Sequence, residues 1–342
     1  MPGLPELHIS RRAFIAGALA TAGALLAKRP DSVGEPLALP GESDTRIEAL
    51  TYKIRYLTEF YTADQAVRVW IPLPAVDPNQ EITNLAIESR YPYTVNRASD
   101  NSAVYIEADG TQKGTCASVR FTMRRKTTRI TEAKDIDVAR YLKLSEWEKW
   151  DEAIVKFIDM VVGGETDPVR IGKRIYDAVV AHTAYVHQVC SRGVSVLAFE
   201  DKSGRSDDFH AMFRTMLVYK AIPVKWEQGV LLPYHPTLNK KGTVEADCIN
   251  SHSWLRFYAG GKTIPVDLAE GKRWPGLREF CFGGLTANRI KFSTGRGLTL
   301  NPPQSEILNT FSYTHAEADG VPMTYGHNYR TFIKYELLRK EV

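Results

Sequence analysis

The spacing of apolar residues changes once along this chain, and that change divides it. From about residue 46 to 135 apolar and polar positions alternate with a period of two. Residues 51–56 alternate, and residues 66–71 do so again before Pro72-Leu73-Pro74 stops them. Residues 103–107 and 118–123 continue the series, separated by Gly110, Gly114 and clusters of Asp and Asn. Short strands at this spacing predict a β-sandwich over 46–135. Within it, Arg124, Arg125 and Lys126 read as a solvated strand end.

Near residue 140 the period becomes helical. Ser145-Glu146-Trp147-Glu148 fits a capping box. Trp147, Trp150, Ile154, Phe157, Ile158 and Val161 mark one helical face, with both tryptophans expected in the core. A second helix opens at Asp167-Pro168, with Ile171, Ile175, Ala178 and Val179 on its apolar side. Phe209, Met212, Phe213, Met216 and Leu217 predict a third. It begins at Ser206 or Asp207, both capping residues, and Ala221-Ile222-Pro223 closes it. Strand-like runs follow at 224–232, 253–258 and 263–266, within 288–300, and at 331–337, with 233–246 as a loop. The expected fold class is α+β. An N-terminal β-sandwich precedes an α+β domain over 140–305, and strands over 306–342 complete the fold.

Composition adds little to this picture. The hydrophobic fraction of 44% and charged fraction of 25% are ordinary for a globular protein. Net charge is +4, but four basic residues and only Glu6 as acid fall in the first 29 residues. The remainder is close to neutral, so nothing points to nucleic acid as a partner.

The first residues change the picture more. Ser10-Arg11-Arg12-Ala13-Phe14 precedes an apolar run from Ile15 to Ala27, and Lys28-Arg29 follows it. This resembles a twin-arginine export signal over 1–29, with 30–45 as a linker. The run is shorter than the roughly 20 residues of a membrane span, so no stable span is expected unless the signal stays uncleaved. The expected location is periplasmic, or otherwise exported by this route. There Cys116, Cys190, Cys248 and Cys281 could pair. A bridge within the set Cys190, Cys248 and Cys281 is one reading, and buried free thiols are the other. The cysteines lack C-x2-C spacing, and His182, His187, His235 and His315 lack carboxylate or Cys partners at ligand spacing, so neither metal nor cofactor is expected.

Three positions carry candidate chemistry. Ser206 opens a helix, where unpaired N–H groups and the dipole favour an anion. His252 and Asp267 each lie in a strand-like run, where Asp267 can orient the His and leave its other ring nitrogen for Ser206. Asp208 is expected to bond backbone near the helix start. His210 is read as structural, and Cys248 as a structural thiol rather than a nucleophile.

Gly204-x-Ser206-x-Asp208-Phe209-His210, then Ala221-Ile222-Pro223-Val224, resembles the bacterial transglutaminase-like pattern Gly-x-Cys-x-Asp-Phe-His and its Gly-Ile-Pro-Ala. His252-Ser253-Trp254 and Pro265-Val266-Asp267 are similar to that family's second and third blocks. Trp70-Ile71-Pro72-Leu73-Pro74 resembles the start of the β-sandwich that often precedes the domain. The resemblance implies a papain-like core acting on peptide, protein or cell-wall amides through Cys, His and Asp, here Ser206, His252 and Asp267. The departure is the missing Cys. A thiol titrates near about 8.5 and falls further at a helix start beside His⁺, whereas a serine hydroxyl cannot form that resting ion pair. Three expectations follow: a weakly active or non-catalytic binding cleft, a serine peptidase, amidase or transamidase, or a natural Cys replaced by Ser. A further alternative makes the β-sandwich a docking module on a C-terminal scaffold.

Overall fold

Alternation in the first part of the chain produces antiparallel strands, most of them longer than the pattern indicates. The computed structural model describes residues 42–61, 64–97, 100–233 and 240–342. The expected signal and His235 lie outside these. Of the expected linker only 42–45 is described, and Glu42–Thr45 forms a single helical turn.

The strands are β1 (Ala49–Phe60), β2 (Val67–Pro72), β3 (Gln80–Ser89), β4 (Tyr93–Asn96), β5 (Ala103–Ala108) and β6 (Gly114–Lys126). Helices α1 (Glu152–Val162), α2 (Pro168–His182) and α3 (Ser206–Tyr219) follow. Next come β7 (Val224–Leu231), β8 (Lys241–Glu245), β9 (Ser251–Ala259), β10 (Lys262–Val266) and helix α4 (Leu268–Arg273). The chain ends with β11 (Arg289–Thr294), β12 (His315–Ala318) and β13 (Tyr329–Glu341).

Among the described residues these strands build three five-stranded sheets. One has the order β8-β13-β1-β6-β3, and a second runs from Val321–Pro322 through β12-β2-β5-β4. The third is β11-β7-β9-β10 with Thr131–Glu132 at its edge. Tyr56, Val69, Ile106, Val119 and Ile333 join the first two sheets in one core. Val230 and Phe292 of the third sheet enter the same core. The helices cover the third sheet, where Ile175, Val179, Phe209, Phe213, Leu255 and Phe257 pack together. Each such side chain contributes on the order of 1.5–3 kcal/mol by leaving water. The architecture is α+β, a β-rich N-terminal region followed by a mixed α+β region.

Several expectations need correction. Residues 233–246 are not wholly loop, because β8 pairs with β13 at the edge of the first sheet. Ser145 and Glu148 do bond as a box would, with Ser145 N donating to Glu148 Oε2 at 3.1 Å. No helix starts there; the same Glu148 oxygen also accepts from Arg214, with Arg296 Nη1 3.4 Å from the other oxygen. Helix α1 begins at Glu152 instead, where Asp151 Oδ1 accepts from Ile154 N at 2.8 Å. The tryptophans are consequently not core: Trp150 is exposed and Trp147 half-buried. Arg125 is not solvated but fully buried, since β6 turns every second side chain inward. Its nearest carboxylate is Asp77 at 3.8 Å, and burial pulls its guanidinium down to about 10.

A buried ionic cluster ties the third sheet to this β-rich region. Glu227 on β7 accepts from Trp254 Nε1 at 2.7 Å, Arg256 Nε at 3.0 Å and Lys291 Nζ at 2.9 Å. Lys291 also donates to Asp77 Oδ2 at 3.0 Å. Burial opposes ionisation of Glu227, but Arg256, Lys291 and Lys225 overcome it and hold the carboxyl well below its usual range. Removing one member strands the others without a counter-charge. We therefore expect Glu227→Ala to cost about 3–5 kcal/mol. Urea unfolding measures this, and a loss below about 1 kcal/mol would contradict the role given to the cluster.

Candidate active site

The start of α3 is built by close backbone contacts. A Cβ on Gly204 would lie 2.4 Å from the Asp208 Cβ, so only glycine allows the carboxylate to fold back there. Asp208 Oδ2 accepts from Arg205 N at 3.0 Å, closing the N-terminus. Its Oδ1 accepts from Gly193 N at 2.9 Å and Arg192 N at 3.2 Å. The helix is thus capped by Asp208, not by Ser206 or Asp207, and Arg205 is the capping position. Gly193, at φ +63°, lets the preceding segment turn back against the helix. A disulfide joins Cys190 of that segment to Cys248, which is the bridge within Cys190, Cys248 and Cys281 that one of the two readings expects. Cys248 is therefore structural as a bridged residue and not as a thiol. Cys281 and Cys116 are buried free thiols.

His252 lies on β9 opposite Gly229 of β7. Asp267 follows β10 directly and caps α4, its Oδ1 accepting from Glu270 N at 3.1 Å. The hairpin of β9 and β10 brings the pair together, with His252 Nε2 2.8 Å from Asp267 Oδ2. The same oxygen accepts from Arg289 Nη1 at 3.0 Å. Burial alone would raise the Asp267 carboxyl. The charge and hydrogen bond of His252, with the charge of Arg289, hold it well below the usual carboxylate range. Since Asp267 occupies Nε2, Nδ1 is the ring nitrogen left for proton transfer. The Trp254 ring stacks on His252 at 6.2 Å between centroids, and the Arg289 guanidinium lies 4.9 Å from that indole. The imidazole is therefore held on both its plane and its edge.

His210 serves the same carboxylate from inside. It is fully buried; its Nε2 accepts from Leu268 N at 3.1 Å and its Nδ1 meets Ser253 Oγ at 3.1 Å. Accepting at Nε2 places the single proton of a neutral ring on Nδ1. Burial pushes its pKa down to about 3, although Asp267 favours the cation. Behind it, burial and the charge of Asp267 raise the Glu270 carboxyl and push the Cys281 thiol up.

Ser206 is buried to 3% exposure at the first position of α3. Its hydroxyl donates to Asp207 Oδ1 at 3.4 Å and makes no hydrogen bond to His252. The structure thus joins His252 to Asp267 and places Ser206 at a helix start, one turn before His210, whose ring lies 6.3 Å from that of His252. Sequence reasoning missed Arg289, Asp207 and Glu270. Arg289 sits in a run that shows only strand character, and nothing local marks an inward arginine. The distant histidines lie apart from this group. His182 bonds the Phe199 carbonyl at 3.0 Å, while His315 does have a carboxylate partner, Glu317, at 3.2 Å.

Comparison with known proteins fits this geometry. The core of the transglutaminase-like superfamily matches residues 155–274. A candidate cysteine protease from Cytophaga hutchinsonii superposes with a TM-score of 0.54 at 14% identity, covering 85% of this chain and 98% of that one. Residues 155–274 thus resemble the transglutaminase-like core, and the chain shares the overall fold of the Cytophaga protein. An uncharacterized protein of Haemophilus influenzae is 24% identical over 300 residues, covering 75% of this chain and 81% of its own length. The periplasmic domain of TgpA from Pseudomonas aeruginosa, at 14% identity, covers 70% of this chain and 96% of that one, but its TM-score of 0.34 is too low to support an argument. In this transglutaminase-like fold the matched region contains Ser206, His252 and Asp267 together.

The neutral, buried His210 gives a pH test. Its folded pKa lies below the ordinary 6.5, so below about pH 6.5 the unfolded chain binds a proton that the folded chain refuses. Stability should therefore fall on acidification from about pH 6.5 towards 4, and His210→Gln should flatten that slope. Urea midpoints across the window measure it. An unchanged slope in the variant would contradict a neutral His210.

Proposed function

We propose that this cleft binds peptide or amide substrates and that Ser206 leaves it with little acyl-transfer turnover. The observation that carries the reading is a mismatch at one position. His252, Asp267 and Arg289 form a complete, buried orienting set, while the Ser206 hydroxyl bonds Asp207 rather than His252. In a thiol site the helix start and the imidazolium stabilise a resting thiolate. A serine hydroxyl titrates far too high for that ion pair, so His252 would have to take its proton during attack. The Asp207 carboxylate, 3.4 Å from that hydroxyl, is a long contact that would compete for its proton.

The remaining features suit acyl chemistry. The first N–H groups of α3 lack helical partners, which makes the Ser206 N–H a candidate oxyanion donor. The segment before α3 is clamped by Asp208 and by Cys190–Cys248, which fixes the backbone leading into Ser206. Peptide and cell-wall amides share the carbonyl this arrangement would polarise. Export through the twin-arginine route is part of the same reading and rests on Arg11, Arg12 and the apolar run behind them. Among the described residues no helix is long and apolar enough to cross a membrane.

Amide hydrolysis and transamidation should be measured for the native chain, Ser206→Cys and Ser206→Ala. We expect the native chain and Ser206→Ala to be close to background, and Ser206→Cys to exceed both by about a hundredfold or more, the span typical of positioned nucleophile–base catalysis. Native activity equal to that of Ser206→Cys and abolished by Ser206→Ala would overturn the proposal in favour of a serine enzyme.

A further inference from the structure

The outer face of the first sheet carries charge that the catalytic reading does not use. A groove of about 830 Å³ lies across it, lined by Lys53, Arg55, Arg120, Lys241, Lys334 and one acid, Glu336, among others. The strand register aligns these charges. Lys334 stands opposite Arg55, and Arg55 stands opposite Arg120, placing three cations in one row across β13, β1 and β6. In the adjacent row Lys241 and Lys53 flank Glu336. Like charges directly opposite one another destabilise a sheet, so such a row is not what a solvated face needs. Glu88 pairs with Arg55 and Arg120. Lys53, Lys241 and Lys334 have no ion-pair partner among the described residues.

We infer that this groove is a docking site for an acidic stretch of polypeptide. It follows from charge complementarity, and the shape of the face narrows the occupant. A groove suits a chain better than a bilayer plane, and the exposed large apolar side chains nearest in the chain to its lining, Leu85 at 38% and Leu338 at 53%, are single positions rather than an apolar face. Single-stranded nucleic acid is held largely by stacking on exposed aromatic rings, but Tyr335 in the lining is only 6% exposed. Strand β8 borders the groove, and the chain then runs through Cys248 to His252. The groove and the site are thus joined by a short stretch of chain that the Cys190–Cys248 bond fixes. This rests on the reading of the cleft as a peptide site and adds a preference for substrates with an acidic region away from the reacting amide.

The test is binding, measured without turnover. A fluorescent peptide of alternating Glu and Ser is titrated by anisotropy into the full chain bearing Ser206→Ala. Its Gln-for-Glu counterpart, anionic phospholipid vesicles and single-stranded DNA serve as parallel probes. The inference predicts saturable, salt-sensitive binding of the Glu peptide, no binding of the Gln peptide, and at least a tenfold loss when Lys53→Gln, Lys241→Gln and Lys334→Gln are combined. Those lysines are exposed and lie outside the catalytic group, so the triple variant should fold. Circular dichroism and the urea midpoint verify that. Absence of Glu-peptide binding, unchanged binding in the triple variant, or tighter lysine-dependent binding of vesicles or DNA would each overturn it. Turnover of a short neutral amide by Ser206→Cys is independent of the groove, so failure here leaves the proposed function standing, whereas failure there removes the substrate preference and leaves groove binding to the anisotropy result alone.

Discussion

The Asp267 carboxylate is the point on which this molecule depends. Fully buried, it orients His252, accepts from Arg289, caps α4 and stands 3.7 Å from His210. A carboxylate in that position is stable only if its charge is answered. Arg289 from β11 and the imidazole of His252 answer it, while His210 remains neutral and donates elsewhere. Strands β9, β10 and β11 and helices α3 and α4 are all held in register by one group. Breaking it would disturb the site and the packing around it together.

That dependence explains what the sequence could and could not disclose. Period marked α2 and α3 closely. Helix α2 packs an apolar face and starts at Asp167-Pro168. Helix α3 is buried all round from Ser206 to Leu217, and its cap is not the expected Ser206 or Asp207. The order of Ser206, His252 and Asp267 pointed to a papain-like core because each sits in a recognisable local run. Long-range charge was not legible. Glu148 looked like half of a capping box, yet Arg214 and Arg296 claim it from distant parts of the chain. Arg125 looked like a solvent-facing charge, yet strand alternation buries it beside Asp77. Strand β8 was missed because Lys241, Gly242 and Thr243 have no apolar alternation; it exists through its backbone pairing with β13.

What distinguishes this chain from a thiol enzyme is confined to a few atoms. Gly204, Asp208 and Gly193 still shape the start of α3, and the Cys190–Cys248 bond still fixes the adjacent segment. His252 is still oriented through Nε2 with Nδ1 free of that bond. In the proposed reading only the nucleophile departs from that pattern, and the Ser206 hydroxyl lies 3.4 Å from Asp207 Oδ1. A frame retained in this detail is consistent with a cleft that continues to bind. The cationic sheet face extends the idea, since holding an acidic chain needs no reactive group.

If the frame is intact apart from sulfur, returning the sulfur should create an activated thiol. The most direct measurement is the pH dependence of iodoacetamide alkylation at position 206 in Ser206→Cys, followed by mass spectrometry. Our account predicts a thiolate that forms well below the free-thiol value of about 8.5, with the midpoint rising when His252→Ala is added. A midpoint at or above about 8.5, unaffected by His252→Ala, would contradict it.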